Sequence, residues 1–80
     1  MSKYNIEVIM KRIKSAPINS PIAVFRIDDK LSINLDAVFG STVATQRRVM
    51  ANDPELIGIY DKTSNLLEVK NELFKHIIIT

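Results

Sequence analysis

The side chains with the clearest capacity for chemistry lie between residues 41 and 52. Two adjacent cations, Arg47 and Arg48, stand in a stretch, residues 41–51, that contains no acidic residue. A guanidinium group donates bidentate hydrogen bonds to anionic or carbonyl oxygens, and hydroxyl and amide groups add single hydrogen bonds. If the segment is helical, the positions facing away from its apolar stripe are all polar: Ser41, Thr45, Arg48 and Asn52. The spacing therefore indicates a helix face that hydrogen-bonds to a partner.

Signatures of catalysis are scarce in this sequence. There is no cysteine, and the only two glycines, Gly40 and Gly58, do not form a glycine-rich phosphate loop. The single histidine, His76, lies beside apolar neighbours, and the adjacent Asp28 and Asp29 are more typical of a polar turn than of a metal or acid/base pair. We therefore expect no enzymatic activity, no metal site and no cofactor.

Length and composition constrain the architecture that positions these side chains. A chain of 80 residues, 46% of them apolar and 25% charged, predicts one globular domain over residues 1–80. The absence of cysteine fits a reducing compartment, and no apolar run approaches the roughly 20 residues needed to cross a bilayer. These features favour a cytoplasmic protein without a membrane segment.

The N-terminal part of the chain predicts a helix from about Tyr4 to Ser15. Its apolar residues recur at the i, i+3, i+4 and i+7 spacing of one helix stripe. Pro17 and Pro21 then interrupt regular structure, because proline lacks a backbone donor and restricts the residue before it. The stripe consists of Ile6, Ile9, Met10 and Ile13.

Residues 21–36 admit two interpretations. Ser20 followed by Pro21 is a good helix start, which favours a short helix over residues 21–27. The Val, Phe and Ile side chains in the same segment prefer a strand, which would pair across residues 28–30 with residues 31–35. The two interpretations lead to different folds.

The second half of the chain predicts a helix pair followed by a hairpin. Residues 35–39 have the apolar spacing of a short helix that ends at Gly40. Ser41 or Thr42 caps the next helix, which ends near Pro54. Two β-prone runs then flank the polar residues 61–64, as in an antiparallel hairpin. Residues 71–80 are expected to form a packed helix or a strand against a second copy, because they carry the apolar Phe74, Ile77, Ile78 and Ile79.

This order of elements resembles the winged helix-turn-helix family of DNA-binding domains over residues 31–70. The resemblance implies a small α+β fold whose helix at residues 41–52 enters the major groove and whose C-terminal β-hairpin is the wing. Arg48 would then pair with guanine and Gln46 with adenine, whereas Arg47 falls nearer the buried stripe. The implied DNA-binding residues are Ser41, Thr42, Thr45, Gln46, Arg47, Arg48 and Asn52 in that helix, Lys62 and Thr63 in the wing, and Lys11, Arg12 and Lys14 in the first helix.

The function expected from this resemblance is sequence-specific binding of duplex DNA by a small transcriptional regulator that works as a homodimer. The alternative is a small α+β protein-interaction module, an inhibitor or adaptor that does not bind nucleic acid. It would use the same scaffold or a sheet built from residues 21–36 and 56–70. A two-stranded ribbon at residues 21–36 would contradict the winged-helix architecture and favour the second arrangement.

Overall fold

The computed structural model describes residues 5–70 and 75–79 of the chain. Within them, two helices and five strands follow the order α-β-β-α-β-β-β. The elements are α1 (Ile6–Ser15), β1 (Ile22–Ile27), β2 (Ile33–Val38), α2 (Val43–Asn52), β3 (Leu56–Asp61), β4 (Leu66–Val69) and β5 (Lys75–Ile78).

The five strands form one antiparallel sheet in the order β2-β1-β3-β4-β5, with one helix on each face. On the first face, Ile9 and Ile13 of α1 pack against a cluster that includes Phe25 of β1. On the opposite face, Met50 of α2 packs against a cluster that includes Val24. Successive strand residues point to opposite faces, so β1 and β3 supply buried side chains to both helices.

Helix α1 confirms the predicted N-terminal helix over Ile6–Ser15, while Tyr4 lies outside the described residues. Asn5 is its N-cap, with a side-chain oxygen that accepts a hydrogen bond from the Glu7 amide at 2.8 Å. Ile9 and Ile13 are buried, as the apolar stripe predicts.

Residues 22–38 form a hairpin, so the strand interpretation is right and the predicted helix at residues 35–39 is wrong. The β1 segment is buried on both faces, which favours a run of β-branched and aromatic residues in a central strand. The turn is held by Asp28, whose carboxylate accepts hydrogen bonds from the amides of Lys30 (2.9 Å) and Ser32 (2.8 Å). Leu31 adopts a φ of 63° in this turn.

The winged helix-turn-helix prediction is also wrong. Among the described residues, no second helix packs against α2, which lies alone on its face of the sheet. The predicted helix at residues 41–52 is present over Val43–Asn52, and the predicted hairpin is present as β3 and β4. However, β3 lies at the centre of the sheet, so this hairpin is not a peripheral wing.

The last described strand, β5, pairs with β4 of its own chain. The described part of the predicted element, residues 75–79, therefore contains a strand, Lys75–Ile78, that is paired within its own chain and not a helix, and residues 71–74 and 80 lie outside the described residues. Neither α1 nor α2 has the length and apolar character of a membrane-spanning helix, and the described residues contain no other helix.

Candidate functional site

Strand β2 forms one outer edge of the sheet. Within residues 5–70 and 75–79 it pairs only with β1. It is six residues long, its register with β1 runs without a shift, and it contains neither proline nor lysine. Proteins commonly protect an edge strand from further pairing with such residues, with a bulge or by making the strand short. The opposite edge, β5, has only four residues, so β2 is the longer and less protected edge.

The hydrogen-bonding pattern identifies which backbone groups of β2 point outward. The Asp28 amide donates to the Ser32 carbonyl at 3.1 Å, and bonded and non-bonded pairs alternate along an antiparallel ladder. The amide of Ile27, the next residue, donates instead to Glu55 on the other side of β1, at 2.9 Å. The inward residues of β2, bonded to β1, are therefore Asn34, Asp36 and Val38. The residues whose amides and carbonyls face the open edge, which we call the edge residues, are Ile33, Leu35 and Ala37.

The side chains of the edge residues point to the α1 face, where a shallow groove runs beside the strand. Leu35 and Ala37 form one wall of this groove, and residues 16–18 of the loop after α1 form the other. Its volume is about 230 Å³, and among the described residues Arg12 is the only charged one that lines it. The unpaired backbone and an apolar groove therefore lie side by side.

Large apolar side chains flank both ends of β2. Leu31 precedes the strand and is 62% exposed, and Phe39 follows it and is 67% exposed. Exposed apolar residues that occur singly are ordinary on a protein surface. Phe39 therefore adds an apolar side chain next to the open edge, whereas Leu31 lines a separate pocket with Asp28, Asp29 and Glu55.

The other face of β2 carries a charged cluster. Asp36, the only charged residue of the strand, lies 3.7 Å from Arg26 of β1. Arg26 also bonds to Asp53, the C-cap residue of α2, and this hydrogen bond lowers the pKa of Asp53 below its ordinary value. The cluster ties the end of α2 to β1 and leaves Asp36 56% exposed beside the edge.

The polar residues predicted for α2 mostly bond to one another. Thr42 is the N-cap, and its hydroxyl accepts from the Thr45 amide at 3.2 Å. The side-chain amide of Gln46 donates to the Ser41 hydroxyl at 3.0 Å. Arg48 is exposed and takes part in no ion pair within the described residues, as predicted for an outward-facing position. Asn52, at the far end of the helix, donates to the carbonyl of Arg48.

Arg47 has a structural role that the sequence only hinted at. It lies toward the sheet and forms two hydrogen bonds, of 2.7 and 3.0 Å, to the carboxylate of Glu68 on β4. Glu68 is only 1% exposed, and the same carboxylate lies 3.7 Å from the imidazole of His76. The hydrogen bond to Glu68 raises the pKa of Arg47. The Arg47 guanidinium is therefore engaged by Glu68, although the Arg47 side chain remains 46% exposed.

The other predicted residues are divided between the two ends and faces of the molecule. Register places Val38, Ile22 and Asp61 side by side, so the loops before α2, before β1 and after β3 share one end of the sheet. Ser41, Thr42, Lys62 and Thr63 lie at this end, and Lys62 donates to the Ile18 carbonyl at 2.6 Å. Lys11, Arg12 and Lys14 are exposed on α1, across the sheet from α2. The twelve predicted residues therefore do not form one continuous surface.

Sequence reasoning missed the β2 edge and the buried Glu68. The alternation of Ile33, Leu35 and Ala37 was a signal for the strand, but its edge position depends on the order of strands in the sheet. In comparisons with known proteins, no family model, curated protein or solved structure matches this chain. The site must therefore be interpreted from its own geometry.

Proposed function

We propose that this protein is a protein-interaction module that binds an extended segment of another chain along the edge of β2. The observation that carries the proposal is the open backbone of the edge residues next to an apolar groove. In recognition by strand addition, main-chain hydrogen bonds supply affinity and pockets for alternate side chains supply specificity. Both parts of such a site are present at β2.

The geometry also defines the chemistry of the partner segment. Residues of an added antiparallel strand that lie opposite Leu35 and Ala37 would point to the α1 face, since directly opposed residues share a face. They would enter the groove and should be apolar. The residues between them would lie beside Asp36 on the other face and should be polar or basic. The expected partner is an extended segment with apolar side chains at every second position.

The test is selection of short random peptides from a display library on the purified protein. We expect enrichment of alternating apolar sequences. Ala37→Pro should weaken their binding about tenfold or more, because proline removes an outward amide without removing a bond to β1. Circular dichroism checks that this variant folds. Ile78→Ser is the control, since Ile78 is 69% exposed on the opposite edge strand, and its binding should be unchanged. Selected peptides that bind Ala37→Pro as well as wild type would refute the proposal.

Binding of duplex DNA remains our second candidate, and we place the protein in the cytoplasm in either case. DNA binding is supported by the position of Lys62, Thr63 and the N-terminus of α2, which share one end of the sheet. Phosphate contacts make affinity fall linearly in logarithmic terms with salt concentration. A titration of duplex DNA at several salt concentrations should therefore show a slope that decreases in Lys62→Ala. Affinity that does not depend on salt would remove this candidate.

A further inference from the structure

We infer that the segment bound by β2 is the β2 strand of a second copy of this chain, paired antiparallel about a two-fold axis at Leu35. This inference rests on the proposed function, because it names the partner of the same edge. The two sheets would become one continuous sheet, with both copies of α1 on the same face. The edge of β2 is self-complementary in its backbone, its side chains and its charges.

The backbone matches itself in this register. With the axis at Leu35, each residue of one copy lies opposite the residue of the second copy for which the two residue numbers add up to 70. Leu35 then faces Leu35 of the second copy, and Ile33 faces Ala37 in both directions. The edge residues carry all the outward amides and carbonyls of β2, and in this register they face only one another. Every open backbone group of the strand is therefore paired.

The side chains of the α1 face also match by size and exposure. Ile33 of one copy lies opposite Ala37 of the other, so a large side chain meets the small one that lines the groove. Phe39, one residue beyond the strand, is 67% exposed in the single chain. It follows the paired edge directly, so dimerisation would cover Phe39 of both copies.

On the other face, charge selects this register over its neighbours. Asn34 of each copy lies opposite Asp36 of the other, where an amide can donate to a carboxylate. An axis shifted to Asp36 would oppose two copies of that acid, and like charges directly opposite destabilise a strand pair. An axis shifted to Asn34 would place Ala37 opposite Leu31, which lies in the turn with a φ of 63° and outside the strand. Of these three registers, only the one centred on Leu35 avoids both conflicts and pairs all three edge residues with one another.

Sedimentation equilibrium and disulfide trapping test the inference. The wild-type protein should be dimeric at millimolar concentration. Phe39→Ser should weaken the dimer, whereas Ile78→Ser, which removes an equally exposed apolar residue from the opposite edge strand, should not. The chain has no cysteine, so each introduced thiol is unique. Leu35→Cys should form an intermolecular disulfide in mild oxidant, because directly opposed bonded residues have Cα atoms about 5.5 Å apart.

Asn34→Cys is the matched control for this register. It lies diagonal to its own copy, about 7 to 8 Å away, and should not cross-link alone. Mixed with Asp36→Cys, which it opposes directly, it should form a disulfide between the two variants. Cross-linking of Asn34→Cys alone, or a dimer in which Leu35→Cys stays reduced, would overturn the inferred register. Circular dichroism of each cysteine variant confirms that it is folded before oxidation.

The failure of this inference is distinguishable from failure of the proposed function. If the chain stays monomeric while selected peptides still require a donor at Ala37, the second-copy inference fails and strand addition stands. If selected peptides bind Ala37→Pro as tightly as wild type, strand addition itself fails. A dimer that is unchanged by both Phe39→Ser and Ala37→Pro would place the contact elsewhere and overturn the inference.

Discussion

Replacing Arg47 with methionine should destabilise the protein by leaving the Glu68 carboxylate without its main partner. Arg47 supplies two hydrogen bonds to a carboxylate that is 1% exposed. Breaking a buried ion pair from one side costs about 3 to 5 kcal/mol, because a charge is left uncompensated. The Arg47 side chain is itself 46% exposed, so water can reach the vacated space and the lower end applies. We expect a loss of about 3 kcal/mol.

This loss is measurable by urea denaturation and by heating, both followed by circular dichroism. In a domain of this size, each 1 kcal/mol lowers the Tm by about 4 to 8 °C, so the expected decrease is about 12 to 24 °C. Combining Arg47→Met with Glu68→Met should restore much of the stability, since an apolar pair of similar volume can replace a buried ion pair. The double-mutant cycle isolates the interaction between the two side chains.

Arg48→Met is the control for removal of a positive charge from α2. Arg48 is exposed and makes no ion pair within the described residues, so its replacement should change stability by less than about 0.5 kcal/mol. Equal losses in the Arg47 and Arg48 variants would refute the reasoning, because the effect would then come from helix charge rather than from the buried carboxylate.

Two further predictions concern β3 and the end of α2. Gly58→Ala should lower the free energy of unfolding, measured in urea, by about 1 to 3 kcal/mol, because its Cβ would lie 3.0 Å from the Glu68 carbonyl on the neighbouring strand. An unchanged free energy of unfolding would show that β3 and β4 can move apart. Asp53→Asn should lower stability at neutral pH. Since bonding to Arg26 lowers the pKa of Asp53 from 3.8, its stabilisation is present above that value and is lost as pH falls through the lowered pKa. Unfolding curves of both proteins should therefore converge in strong acid, and a difference that persists there would contradict this assignment.

Local signals in the sequence were sufficient to predict several helices and strands. Thr42 and Pro54 marked the ends of α2, and the i, i+3, i+4 spacing marked α1. The polar cluster between β3 and β4 marked their hairpin, where the Asp61 carboxylate accepts from the Thr63 amide at 3.1 Å. Each of these features depends on residues that are close in the chain.

Non-local features were not predictable in the same way. Residues 35–39 have apolar spacing that fits a short helix, while Ile33, Leu35 and Ala37 fit a strand. A segment this short does not distinguish the helical repeat of apolar residues from the strand repeat. Pairing with β1 decided the outcome. Glu68 alternates with the buried Leu67 and Val69 in β4, as a solvent-facing residue would, yet it is 1% exposed and bonds to Arg47 from a distant part of the chain.

The most direct test of an open docking edge is amide hydrogen exchange of β2, followed residue by residue by NMR at low and high protein concentration. We expect the inward amides of Asn34, Asp36 and Val38 to be protected at both concentrations. The edge residues should exchange freely in dilute protein and become protected when it is concentrated or when a selected peptide is added. Uniform protection of all six amides in dilute protein, or exchange at the edge that no partner slows, would contradict an open docking edge.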